Sequence, residues 1–328
     1  MGGVERWARE LCARLPEQRP ERYAVRGPPA ALAHRAGHAW EQAVLPLAAR
    51  GSELLLSPAN TAPLAVRRNV VVVHDTAPFQ DPSWYGRAYG AWHRALIPPL
   101  VRRARLVITP SEFVRDELTE RFGVPAERVR AVPPGVDPAF GAPPDPGPLL
   151  RRVGLGRAYV LAVGTDSPRK NLALLDAIAP ALDEAGFDTV IAGSARAYLP
   201  ASTPGRARRL GYVADRDLPA LYAGAAVFAM PSLYEGFGLP CVEAMAAGTP
   251  VVASARAALL EACGGAALFA DPADPDGFTA AVLLAAGSER ERLRAAGRRR
   301  AAQLTWDRTA QAVDSALEPL LSATGRRR

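Results

Sequence analysis

The sequence predicts an α/β protein of two domains, each a parallel sheet with helices packed on it. Three observations carry this. The chain has 328 residues, 49% of them apolar, which exceeds one ordinary domain and suffices for two buried cores. Short apolar runs of strand length alternate with amphipathic stretches, the pattern of a parallel sheet with crossover helices. The clearest β-α-β unit, from Ala225 to Ala253, carries Pro240, Gly248 and Pro250 where a helix start, a helix stop and a strand entry call for them.

In the amino-terminal half, Val70-Val71-Val72-Val73 is a buried-strand run ending in His74-Asp75, which places His74 at a strand's carboxyl end, facing a crevice. Asp75 is read as orienting the loop or the imidazole. Trp84, Tyr85, Tyr89, Trp92, Leu96 and Ile97 recur near helical spacing and predict a core-packed helix, a rim for an acceptor or a membrane being the alternative. Leu106 to Thr109 gives another strand, and Pro110-Ser111-Glu112 opens a helix. The Pro- and Gly-rich residues after Asp137 read as a linker.

In the second half, Tyr159 to Val163 reads as a strand, Gly164 to Pro168 as a turn and Asn171 as a helix start. Lys170 lies between them and is the chain's one lysine. A compact ammonium kept in an arginine-rich composition marks a position that a guanidinium does not fit; chance survival is the alternative. Ala225 to Met230 is a further strand, and the helix after it starts near Leu239, with Pro240 in its first turn. Gly248 then caps that helix, and Val251-Val252-Ala253 resumes a strand.

In such a unit the loop after the strand opens onto the ligand crevice, and the helix N-terminus attracts anions. Gly236 and Gly238 let backbone approach closely there, and Glu235 and Glu243 flank the loop eight residues apart. Acids beside an anion site suit a ligand with both phosphate and hydroxyls, as in a sugar nucleotide. Otherwise the two acids merely favour a helix N-terminus through its dipole.

The stretch from Glu235 to Val252, with its glycines, Pro240 and Gly248-Thr249-Pro250, resembles the signature of retaining glycosyltransferases of family 4. That family has the GT-B fold, two Rossmann-like domains facing each other across a donor-binding cleft. The resemblance implies an acceptor domain over residues 1–137, a linker over 138–150 and a nucleotide-sugar domain over 151–305. A final helix from Trp306 then crosses back and ends in a frayed basic tail.

By the same resemblance Lys170 and Arg169 bind the donor diphosphate, Thr165 standing where many relatives have arginine. Gly164, Thr165, Gly236, Phe237, Gly238 and Leu239 line the donor, Glu235 holds its sugar hydroxyls, Glu243 its ribose, and His74 lies by its sugar. A base site follows around Gly211, Tyr212 and Val213, read mostly by backbone groups. Met1-Gly2-Gly3 resembles the family's glycine-rich loop, which puts Gly2 and Gly3 at the donor or acceptor. The strand that precedes this loop in relatives is missing here, and the expectation is a start assigned too late, since a sheet lacking a central strand exposes unpaired backbone.

The net charge of +7 does not predict nucleic-acid binding, because arginines are scattered and no zinc finger, RNP-like or helix-turn-helix pattern is seen. Solvated helix faces and the Arg326-Arg327-Arg328 tail account for it, leaving a weak attraction to anionic membrane. No apolar run reaches the roughly 18 residues of a membrane span, and no leader is visible. The expectation is a cytoplasmic protein with peripheral contact at the inner membrane face. Cys12, Cys241 and Cys263 read as reduced, structural thiols. No cofactor is expected, and no metal, since the acids lack ligand spacing.

The resulting expectation is a metal-independent, retaining hexosyltransferase. It moves a sugar, with a mannosyl donor among the candidates, from a nucleoside diphosphate to a hydroxyl of a glycan, lipid-linked or small-molecule acceptor. A nucleotide-sugar epimerase or a non-catalytic sugar-nucleotide-binding protein of the same fold is the alternative. A Rossmann oxidoreductase is disfavoured because no G-x-G-x-x-G follows a strand.

Overall fold

The structure is a computed structural model and describes residues 2–29, 37–193 and 205–325; the readings of Met1 and the Arg326-Arg327-Arg328 tail lie outside the described residues. The chain forms two units, one of Met1–Phe79, Ala91–Gly135 and Trp306–Arg328, the other of Gln80–Gly90 and Val136–Thr305.

The first unit holds a parallel sheet in the order β1 (Leu55–Ser57), β2 (Asn69–Val72), β3 (Leu106–Thr109), β4 (Val129–Ala131). Strands β2 and β3 are buried throughout, as expected of parallel strands covered on both faces. Ser111 caps the Glu112–Phe122 helix by accepting from the Val114 N–H at 3.2 Å, and Gly123 ends it at φ 64°. The helices Gly3–Gln18 and Trp306–Gly325 pack together, with Trp7 and Trp306 edge to face at 5.9 Å and Arg14 paired to Asp307 at 3.0 Å.

Two expectations change here. The aromatic series does not lie on one helix. Asp81 accepts from the Ser83 N–H at 2.8 Å and starts a 3-10 turn at Pro82–Trp84, so the regular helix begins only at Arg87. Leu96 and Ile97 are buried on it, whereas Trp92 is 43% exposed. Residues 138–150 are not a bare linker either. Pro138–Gly141 and Gly147–Arg152 are short helices, and Phe140 and Leu149 are buried in the second unit's core. Proline fits a helix's first turn as readily as a connection; the carboxylates of Asp137 and Asp145, accepting from Ala139 and Gly147 N–H groups at 2.9 and 3.0 Å, decide for the helices.

The second unit carries β5 (Tyr159–Val163), β6 (Asp188–Ala192), β7 (Arg208–Gly211), β8 (Val227–Met230), β9 (Val251–Ser254) and β10 (Leu268–Ala270). They form one parallel sheet in the order β10-β9-β8-β5-β6-β7. Side chains alternate between its faces. Tyr159, Leu161 and Phe228 join one core with Val242 and Met245, while Val160, Ala162 and Val227 join the other with Leu175, Ile178 and Phe278. The chain runs outward from β5 to β7, returns to place β8 on the other side of β5, and runs outward again to β10. Strands β5 and β8 therefore flank the point where the strand order reverses, and loops leaving their carboxyl ends open a crevice.

Candidate active site

The loop after β5 carries Arg169 and Lys170 in a 3-10 turn, Pro168–Lys170, and the loop after β8 carries Glu235. Strand pairing brings these loops together at the switch point. Lys170 Nζ lies 2.7 Å from Glu235 Oε1, and Arg169 Nη1 lies 3.0 Å from Glu235 Oε2. The loops are also joined through backbone: Leu233 N–H donates to Arg169 C=O at 2.9 Å, and Arg169 Nη1 donates to Tyr234 C=O at 2.6 Å.

Burial pushes the Glu235 carboxyl up, but the charges of Arg169 and then Lys170 outweigh it and hold the group at about 2. Glu235 is therefore a carboxylate that only accepts hydrogen bonds. For Lys170 burial dominates and lowers its pKa despite the Glu235 charge. Gly164 gives the lysine stem its room, since a Cβ there would sit 3.3 Å from Lys170 Cε.

Glycines shape the floor of the site. Gly193, after β6, has φ 141°, and a Cβ on it would fall 1.9 Å from the Gly164 carbonyl oxygen. The N–H groups of Gly164 and Gly193 donate to Ala192 and Gly211 carbonyls at 2.9 and 2.8 Å, stitching together the ends of β5, β6 and β7. Sequence reading missed Gly193, although it follows its apolar strand just as Gly164 follows β5. Gly238 starts the Leu239–Ala246 helix at φ 110°, and a Cβ there would meet Leu259 Cδ2 at 2.5 Å.

Glu243 meets a different side chain. It is buried on the same helix, and Tyr222 donates its hydroxyl to Glu243 Oε2 at 3.0 Å. The Tyr222 ring packs against Phe140 and Phe228. Phe237, expected at the donor, has its ring in the core, whereas Gly236 and Leu239 are buried in the loop and the helix's first turn. Thr165 is half-buried after Gly164. At the end of β7, Gly211 has φ 68°, Tyr212 is exposed and Val213 packs on the core.

A model of the family described as Glycosyl transferases group 1 matches residues 157–286, and that of Glycosyltransferase Family 4 matches residues 52–140. The chain is 33% identical over 270 residues to O-antigen chain mannosyltransferase B of Escherichia coli, covering 77% of this chain and 71% of the relative. The chain belongs to glycosyltransferase family 4. It is 34% identical over 228 residues to the MMP alpha-(1->4)-mannosyltransferase of Mycolicibacterium hassiacum, covering 64% of this chain and 53% of that protein. Its fold is GT-B: Anabaena Alr3699/HepE, crystallised with UDP and glucose, superposes with a TM-score of 0.74 at 20% identity over 96% of both chains.

In this family 4 glycosyltransferase, His74, Gly2 and Gly3 belong to the first unit. His74 is buried at the end of β2. Its Nε2 lies 2.8 Å from Pro58 C=O, its N–H donates to Asn60 Oδ1 at 2.6 Å, and its ring packs edge to face on Trp7 at 5.3 Å. Burial lowers its pKa, so the ring is neutral with its proton on Nε2 toward Pro58. Gly2 caps the first helix, its N–H donating to Glu5 Oε2 at 2.8 Å, and Gly3 is that helix's first residue. Cys241 and Cys263 are buried free thiols, and burial, then Cys263, pushes the Cys241 thiol up. Among the described residues no three His, Cys, Asp or Glu side chains gather as metal ligands, and no described helix is long and apolar enough to cross a membrane.

Proposed function

We propose that this glycosyltransferase moves a hexosyl group, mannosyl in our reading, from a nucleoside diphosphate sugar to a hydroxyl of a glycan acceptor, with retention at the anomeric carbon. The observation that carries the proposal is the meeting of Lys170 and Arg169 with Glu235 at the switch point. It sets half-buried cations, a hydroxyl-accepting carboxylate and a helix N-terminus side by side, and a sugar diphosphate is a ligand that uses all three. The mannosyltransferases among the relatives support the choice of sugar.

Charge on the departing diphosphate is the main barrier. The Lys170 ammonium and the backbone N–H groups around Gly236 to Gly238, which lead into the Leu239–Ala246 helix, stabilise it in place, each such preorganised donor contributing about 3 to 4 kcal/mol. Glu235 accepts from donor-sugar hydroxyls and aims the anomeric carbon. Glu243, oriented by Tyr222, holds the ribose, and the backbone around Gly211 to Val213 meets the base. The acceptor hydroxyl attacks on the face from which the diphosphate leaves: its oxygen bonds to the anomeric carbon, the bond to the diphosphate breaks, and the hydroxyl proton passes to the departing phosphate oxygen. No metal takes part in this reading.

The test is transfer from GDP-mannose, with UDP-glucose for comparison, to a panel of glycan acceptors, reading the product's anomeric configuration by NMR. A retained α-linked product supports the proposal. An inverted product, or donor epimerised without acceptor, overturns it.

A further inference from the structure

Arg169 differs from Lys170 in what its side chain holds. Its Nη1 sits between two acceptors of the loop after β8, Tyr234 C=O at 2.6 Å and Glu235 Oε2 at 3.0 Å. Its own carbonyl accepts from the next residue back, Leu233 N–H, at 2.9 Å. One residue thus grips three consecutive residues, Leu233 to Glu235, through backbone and side chain together. Lys170 takes the other carboxylate oxygen at 2.7 Å, so the Glu235 carboxylate is clamped from both sides and its rotamer is fixed. The side chains of Arg169 and Glu235 are 17% and 9% exposed. A phosphate drawing the guanidinium away would break a charge-assisted pair and strand the buried Glu235 carboxylate with one cation fewer, which is unfavourable.

We infer that Arg169 is a positioning residue. It fixes the 233–235 loop so that Glu235 meets the donor sugar, and it leaves the diphosphate to Lys170 and the helix N-terminus. This rests on the donor-site reading above and changes within it the role that the family resemblance implied for Arg169. Thr165 then stands where relatives carry an arginine without Arg169 replacing that arginine at the phosphate.

The experiment compares Arg169→Gln and Arg169→Lys with Lys170→Ala and Glu235→Gln. It measures kcat, KM for the donor, calorimetric affinity for GDP and UDP, and hydrogen exchange of the loop amides. Arg169→Gln is expected to lower kcat at least tenfold, keep nucleoside diphosphate affinity within twofold, and speed exchange at residues 233–237. The lysine variant should recover part of kcat, because an ammonium can also donate to both acceptors. Lys170→Ala, by contrast, should lose nucleoside diphosphate affinity. Diphosphate affinity falling in Arg169→Gln as far as kcat, with loop exchange unchanged, overturns the inference. Should that variant not fold, the same fall in Arg169→Lys overturns it, and retained affinity with reduced kcat supports it. Wild-type kinetics in both Lys170→Ala and Glu235→Gln would instead defeat the donor-site reading itself.

Discussion

Lys170 shows how a single side chain is set by its surroundings. Its stem runs past Gly164, its ammonium meets Glu235 Oε1, and burial lowers its pKa. A guanidinium is broader and needs a fork-shaped partner, so Lys170→Arg should cut turnover at least tenfold, about 1.4 kcal/mol of transition-state stabilisation, and Lys170→Ala more. An arginine variant with wild-type kcat would return the lysine to compositional chance. Glu235→Gln should abolish most transfer, and because it leaves two half-buried cations unneutralised it should also lower Tm. Glu243→Gln should chiefly raise KM for the donor; unchanged kinetics in both variants would defeat the two assignments. The pH dependence follows from Glu235. Its carboxyl is held at about 2 in the fold against an ordinary 4.5, so its ion pairs contribute fully above the ordinary range and are lost as pH falls through the folded value. Kinetics down to the limit of folding should show no acid limb from this group near 4.5, and Lys170→Ala, which removes one lowering charge, should move its titration upward.

At the scale of the element, the Leu239–Ala246 helix depends on how it begins. Gly238 is at φ 110°, and a Cβ there would sit 2.5 Å from Leu259 Cδ2. A non-glycine residue in such a conformation is strained by about 1 to 3 kcal/mol. Gly238→Ala should therefore lose stability of that order in urea unfolding, with a larger relative loss in donor affinity because the backbone N–H groups of the loop that leads into the helix shift. An alanine variant matching wild type in both would show that the loop is not held at its glycine. This helix was legible because Pro240, Gly248 and Pro250 mark its limits by steric rules that act locally. The 138–150 region was not legible in the same way, since proline suits both a connection and a helix start, and the two are separated by the Asp137 and Asp145 hydrogen bonds and the burial of Phe140 and Leu149. The aromatic series misled through spacing alone: the Asp81 cap ends regular helix spacing before Arg87.

For the whole molecule, the proposed diphosphate site consists of the Lys170 ammonium and backbone N–H groups, so transfer should persist in excess EDTA. Loss of activity in chelator, restored by magnesium or manganese, would contradict that reading. The sequence by itself determined the parallel α/β class, most strand and helix positions around the site, and the residue types at its centre. These follow from local causes: apolar periodicity, caps and backbone freedom at glycine. Only the tertiary structure decided who pairs with whom. Sixty-five residues separate Lys170 from Glu235, and they meet because β8 returns beside β5, a strand order that no local pattern encodes. The same packing parts the two acids that look like a pair along the chain. Glu235 goes to Lys170 and Arg169 and Glu243 to Tyr222, because two residues on one short segment point wherever the surrounding sheet and helices leave them a partner.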